Sequence, residues 1–243
     1  MGLGVPRQTM RLTGTPASPR LITVNSKEDL TQKARQTIDQ IIVRDLNLDA
    51  FIFKKDSPTC GLERVKVYGA SGIPMIEEGR LSDQRQRESF LNQLYIYSKF
   101  TRIERSTRIL QEFHQTHKLQ LMAYDPGKYQ LLGRFAANSK KLNIAEVFVK
   151  YEELLVNLLN KPLTTKKYVN VFQHMMGYFK KHLETKEKAH LLKLIEDYKR
   201  SKIPLISVST LFQYLVKKHS VQYLENQSIL NPYPEEILTG AQI

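Results

Sequence analysis

The stretch Ala50-Phe51-Ile52-Phe53-Lys54-Lys55-Asp56-Ser57-Pro58-Thr59-Cys60-Gly61 sets a short apolar run against a tight loop framed by proline and glycine. The apolar run ending in two lysines reads as a buried strand that hands its last residues to the loop. Open α/β sheets place ligands in loops at the carboxyl ends of their strands. This loop holds Cys60, the only cysteine among 243 residues. A free cysteine is also among the residue types most often buried as a small hydrophobe, so the residues alone leave both readings open. One cysteine forms no internal disulfide, which fits a reducing compartment.

Working outward, residues 1–19 contain Gly2, Gly4, Pro6, Gly14, Pro16 and Pro19 and read as irregular, with an extended piece at 10–12. Residues 20–24 read as a strand, and Ser26 as a helix N-cap with Glu28 and Asp29 in the first turn. Leu30, Ala34, Ile38, Ile41 and Ile42 recur at three- and four-residue steps, which predicts a helix reaching about residue 46. The strand at 50–54 follows, then the loop, a further strand around Val65, Val67 and Tyr68, and a turn-rich connection over 69–79. Strand–helix–strand order predicts a parallel pair with a right-handed crossover. So few strands leave such a sheet incompletely covered, so the front reads as a partial α/β domain.

From Ser82 onward the segments are long and amphipathic, without strand signals. They predict helices at 83–99, 102–123, 126–138, 143–160, 164–182, 184–200 and 204–218, punctuated at Pro126, Pro162, Thr185 and Pro204, with an ordered cap over 226–234. The expected fold class is α+β overall: a partial α/β domain over 1–100 followed by an all-α helical bundle over 101–243.

Hydrophobic residues make up 41% and charged residues 25%, and no apolar run approaches the roughly 20 residues that span a bilayer. The first residues lack the pattern of a signal peptide, and a cytoplasmic location without membrane contact is expected. Net charge is +13, divided as +4 over residues 1–100 and +9 over 101–243. An excess of this kind favours anions and nucleic acid. The lysines, however, are scattered along helices as on ordinary solvated faces.

Phe113-His114-Gln115-Thr116-His117-Lys118 puts two imidazoles at i and i+3, on one helix face, and His174 could add a third. No acidic residue stands beside them at a ligand spacing. They read equally as neutral groups where helices meet, or as donors to an anion together with Lys118 and Arg134. Glycine in a helix interior costs about 1 kcal/mol relative to alanine, so Gly133 and Gly177 are expected to mark close helix crossings. The tyrosine and amide of Tyr223-Leu224-Glu225-Asn226-Gln227 could stack on or hydrogen-bond a base. A non-enzymatic binding module would gather His114, His117, Lys118, Arg134, Asn170, Gln173, His174, Tyr178 and Lys180 into a basic cleft for an anion, RNA or another nucleic acid. No nucleotide-binding glycine loop, serine-hydrolase elbow or zinc-protease helix is present.

Several of these motifs stand together in two bacterial families that are often fused. Residues 101–238 resemble the YbgA-like helical domain through Phe113-His114-x-x-His117-Lys118, Leu132-Gly133-Arg134, Asn170-Val171-Phe172-Gln173-His174-Met175-Met176-Gly177-Tyr178-Phe179-Lys180 and Tyr223-Leu224-x-Asn226-Gln227-x-x-Leu230-x-Pro232-Tyr233-Pro234. Residues 1 to about 100 resemble the later part of the thiouracil desulfidase (TudS-like) domain, whose Ser-Pro-Ser-Cys-Gly signature stands here as Ser57-Pro58-Thr59-Cys60-Gly61. Gly2-Leu3-Gly4-Val5-Pro6-Arg7 and Gly79-Arg80-Leu81-Ser82 match its glycine-rich segment and its junction with the helical domain. The resemblance implies a [4Fe-4S] cluster held by three cysteines, with the fourth iron open to sulfur from a thiolated nucleobase. It makes Cys60 one ligand and Ser57 an active-site neighbour. The family's other two cluster cysteines and a functional glutamate would precede Met1. The chain as written is therefore expected to hold no cluster and to be inactive, through either a truncated or misassigned start or the decay of the front domain.

Overall fold

An extended run on either side of a tight turn finds its partner locally. In the computed structural model, which describes residues 8–15, 18–36, 48–54, 73–138, 142–234 and 237, β1 (Met10–Thr15) and β2 (Ser18–Thr23) form an antiparallel hairpin, Met10 opposite Thr23 and Thr15 opposite Ser18. Gly14 has φ 88°, and a Cβ there would lie 2.5 Å from the Ser18 carbonyl oxygen, so the hairpin end needs glycine. The hairpin turns Leu21 inward against Leu30 and Ala34, with Met10 and Leu12 packed on them. Helix α1 begins at residue 31 and is described to residue 36. The acceptor at its start is Asp29, not the expected Ser26. The Asp29 carboxylate takes the Thr31 amide at 2.9 Å and the Thr31 hydroxyl, and its second oxygen takes Arg20 at 2.9 and 2.6 Å. These donors hold its pKa down at about 2. Ser26 instead meets the Thr23 hydroxyl at 2.6 Å.

The expected parallel pair of strands 20–24 and 50–54 is not formed. β2 pairs with β1, while β3 (Phe51–Phe53) pairs in parallel with β4 (Met75–Glu77), Phe51 opposite Met75. A hairpin partner needs only a short turn, whereas a parallel partner needs a crossover, and the local option wins here. β4 falls inside the segment read as a turn-rich connection, because three residues flanked by Pro74 and Gly79 give little periodic signal. The strand expected near Val65–Tyr68 and the loop with Ser57 and Cys60 lie outside the described residues. The architecture is α+β and mostly helical.

The chain divides into two compact units, Met1–Tyr97 and Ser98–Ile243, with the division inside α2 (Gln84–Arg102). The second unit continues with α3 (Thr107–Thr116), α4 (Lys118–Tyr124), α5 (Pro126–Asn138), α6 (Ile144–Leu159), α7 (Thr165–Tyr178), α8 (Thr185–Lys199), α9 (Leu205–His219) and α10 (Gln222–Glu225). Local chemistry sets most of the ends. The Ser106, Asn143 and Thr164 side chains accept the amides of Ile109, Ala145 and Lys167, and Glu184 with Glu187 forms a capping box before α8. The helix expected over 102–123 is instead the end of α2, a connection, and α3 and α4 separated at His117; that expected over 164–182 stops at Tyr178.

Helix α4 is central. All of residues 119–124 are buried, as a helix enclosed on every side requires. One core gathers around α4, α7, α8, α9 and α10, where Phe172 stacks on Phe212 at 5.3 Å. On the other side, rings from the end of α2, α3 and α6 meet: Phe100 lies 5.3 Å from Tyr151 and 5.6 Å from Phe113.

The α3–α4 break is filled from the far end of the chain. Gln227 Nε2 donates to the Gln115 carbonyl at 2.9 Å, and its Oε1 accepts the Leu119 amide at 3.3 Å. These two backbone groups would bond each other in an uninterrupted helix. The Ser228 amide donates to the Thr116 carbonyl at 3.0 Å, and its hydroxyl to Gln120 Oε1 at 2.6 Å. Gln227→Ala is expected to lower unfolding free energy by about 2 to 3 kcal/mol, since it strands buried backbone groups. Urea denaturation reads this directly, and an unchanged midpoint would mean that the break closes without the side chain.

Candidate functional site

The α3–α4 break fixes the surroundings of both histidines that precede and occupy it. His114, on the last turn of α3, has its Nδ1 3.0 Å from Tyr151 Oη and its ring stacked parallel to Tyr129 at 5.6 Å. Gly133 of α5 lies against it: a Cβ at Gly133 would sit 2.8 Å from His114 Nε2. Burial, with help from the Lys118 charge, pushes the His114 pKa down to about 4. This is the packed, neutral histidine of a helix crossing.

His117 is also buried, at 4% exposure, and its ring lies 4.2 Å from that of Phe113. Its Nδ1 is 2.8 Å from the Phe113 carbonyl oxygen. A carbonyl only accepts, so Nδ1 carries the proton and neutral Nε2 is left as a bare acceptor. That nitrogen is buried and has no hydrogen-bond partner among the described residues. Leaving such a group unsatisfied costs about 1 to 3 kcal/mol. Burial drives the His117 pKa to about 4; the Phe113 carbonyl opposes this, and the nearby charges of Lys99 and His114 add to it.

His117 lines a cavity of about 400 Å³ between the end of α2 and α3, with Ile103, Ile109 and Phe113 as apolar wall and Lys99 and Arg102 as cations. Lys99 and Arg102 carry no motif signal in the sequence, since cations in the last turn of a helix ordinarily complement its dipole. Only the fold sets them beside His117.

Lys118 and Tyr178 come together through a third residue. The Tyr178 and Tyr223 rings stack at 4.7 Å and 11°, and Lys118 Nζ stands 6.0 Å from the Tyr223 ring centre. Gln173, His174 and Tyr178 share the exposed side of α7 with Gly177, Asn170 is half-buried, and Arg134 and Lys180 are exposed on α5 and just past α7. Gly177 does not mark a helix crossing, since nothing lies within 4 Å of where its Cβ would be. Among the described residues no three histidine, cysteine or carboxylate side chains gather as a metal site, and no helix is long and apolar enough to cross a membrane.

Two predictions follow from this packing. Gly133→Ala is expected to destabilise the protein by about 1 to 2 kcal/mol, as overpacking against a pinned ring does, whereas Gly177→Ala should stabilise it by about 0.5 kcal/mol through helix propensity; equal effects in thermal unfolding would refute the distinction. Histidines with folded pKa values near 4 and unfolded values of about 6.5 bind protons preferentially in the unfolded chain. Stability is therefore full above about pH 6.5 and erodes as pH falls towards 4, with a slope approaching about 2.7 kcal/mol per pH unit for the two groups together. Denaturation at pH 4.5, 5.5 and 7 checks it: a flat profile would mean that the two rings stay accessible to protons.

Comparison with known proteins divides the chain along similar lines. Residues 1–95 match the family described as 2-thiouracil desulfurase, and residues 118–234 match a family described as a protein of unknown function (DUF1722). Over 129 residues the chain is 27% identical to the uncharacterized protein YbgA of Escherichia coli (strain K12), covering 53% of this chain and 76% of that protein. No solved structure matches. The sequence thus joins a region similar to 2-thiouracil desulfurases to a YbgA-like region, and the second carries Lys118, Gly133, the stacked tyrosines and the Gln227 clamp.

Proposed function

We propose that the front region is of desulfidase type, acting on thiolated pyrimidines such as 2-thiouracil, and that Cys60 is the thiolate it contributes to a [4Fe-4S] cluster, with Ser57 beside the substrate. The observation that carries this reading is the Ser57-Pro58-Thr59-Cys60-Gly61 stretch inside a region that matches 2-thiouracil desulfurases. The donor set limits it. Iron–sulfur clusters are held by several thiolates, and these 243 residues contain one. The residues present therefore do not fit the cluster by themselves, and no reaction step is assigned to them. In this reading the basic helical unit is the binding partner of the chemistry, holding a nucleobase, nucleotide or RNA.

The test is anaerobic reconstitution with iron and sulfide, of these 243 residues and of any longer in-frame chain that carries more cysteines. Visible absorption and release of sulfide from 2-thiouracil are expected only with the added cysteines, and both should be lost in Cys60→Ser. Colour and activity that survive Cys60→Ser, or a cysteine-bearing longer chain that stays colourless and inactive, would overturn the proposal.

A further inference from the structure

We infer that residues 226–234 form a releasable latch: closed, they hold the α3–α4 joint bent, and released, they let the backbone groups they occupy bond each other, so that α3 and α4 run on as one helix. The latch stands on the geometry of the helical unit alone and is independent of the desulfidase reading.

Three observations carry it. The first is that the joint has no reason of its own to bend. Helices kink at proline, at glycine or where a side chain enters the hydrogen-bond ladder, and residues 107–124 contain neither glycine nor proline. The ladder is intact on both sides of the break, with the His117 amide on the Phe113 carbonyl at 3.1 Å and the Leu121 amide on the His117 carbonyl at 2.8 Å. His117 itself stands at φ −94° and ψ 3°, and a change of about 45° in ψ returns it to helix.

The second is that the backbone groups held at the joint have other partners at hand. Gln227 takes the Gln115 carbonyl and the Leu119 amide, which are helical partners of one another. The Ser228 amide takes the Thr116 carbonyl, whose helical partner is the Gln120 amide. Opening thus exchanges one set of backbone bonds for another and leaves no buried group stranded.

The third is the balance between the two arrangements. The bent joint keeps His117 Nε2 buried without a hydrogen-bond partner among the described residues, which is a cost to the closed form. Against this, Ile229 and Leu230 are packed in the core, and Gln213 Nε2 of α9 donates to the Leu230 carbonyl at 2.6 Å and to Asn231 Oδ1 at 2.9 Å. Straightening also parts α3 from α5, where His114 lies against Gly133. The closed form is therefore the majority and the released form the minor state. The region similar to YbgA spans residues 118–234, so its last residues clamp the joint just ahead of its first helix. The direction in which α3 enters that region is set by the region's own far end.

Native-state hydrogen exchange on the ¹⁵N-labelled full chain tests this, across urea concentrations below the unfolding transition. The amides of Ser228, Leu230 and Asn231 are expected to exchange through an opening about tenfold or more frequent than that of Leu121, as a sub-global unit does. The Leu119 amide should keep the protection of Leu121, because it passes from Gln227 to the Gln115 carbonyl. Gln227→Ala, which removes the wedge, should speed the Ser228 and Leu230 amides by a further tenfold or so, in keeping with the loss of two buried hydrogen bonds, and leave Leu119 paired with Leu121. Exchange of Leu119 at the rate of Ser228 would show that the joint does not re-pair, and exchange of the Ser228, Leu230 and Asn231 amides only at the rate of Leu121 would show that the segment does not release. Either result overturns the latch, and both are read on the unaltered chain should the variant fail to fold.

Discussion

The helical unit depends on one side-chain amide. Gln227 sits between the Gln115 carbonyl and the Leu119 amide and bonds both. The insertion ends α3 and starts α4 at His117 while keeping the backbone satisfied, which is what allows a break in the interior of a bundle. Without it, α3 and α4 would be one rod, and α4 could not turn inward to become the enclosed helix against which α5, α6 and α7 pack. Ser228 takes the next carbonyl, of Thr116, so the end of the chain is stitched to a point more than a hundred residues earlier. Within the Tyr223-Leu224-x-Asn226-Gln227 motif, Gln227 makes this stitch while Leu224 is packed in the core and Tyr223 stacks on Tyr178.

Charge is handled differently inside and outside. The chain carries a net +13, yet His114 and His117 are kept neutral by burial in the presence of Lys118 and Lys99. Ion pairs such as Lys150–Glu153 and Arg200–Glu196 are at the surface. Pairs of that kind contribute about 0 to 1 kcal/mol each. Stability therefore rests on the apolar cores and on the few buried polar contacts that orient them.

How much of this was legible in the sequence follows from how local each cause is. The starts of α5, α6, α7 and α9 were readable because their determinants, Pro126, Asn143, Thr164 and Pro204, are adjacent to the helices they begin, whereas the start of α3 at Ser106 was lost inside one long apolar periodicity. The break at His117 was not, because apolar periodicity runs straight through it and its cause lies at Gln227. The pairing of β2 with β1 rather than β3 was missed for a related reason: a strand's pattern says that it is buried, not which neighbour it finds. At the candidate site, His114 and His117 were singled out, and Lys118 and Tyr178 do come together through Tyr223. Lys99 and Arg102 gave no signal distinct from an ordinary helix end.

The two histidines show why spacing alone could not assign a role. They stand three residues apart, each with one ring nitrogen given to a neighbour: Nδ1 of His114 meets Tyr151, and Nδ1 of His117 meets its own helix at Phe113. What differs is the partner of Nε2. On His114 that side is closed by Gly133, whose missing side chain admits the ring and little else. The His117 ring is also on the lining of a cavity with Lys99 and Arg102, and its buried Nε2 is an acceptor without a donor among the described residues. A buried acceptor is costly unless something fills the need. The first ring completes a helix crossing, and the second keeps an acceptor buried without a partner among the described residues.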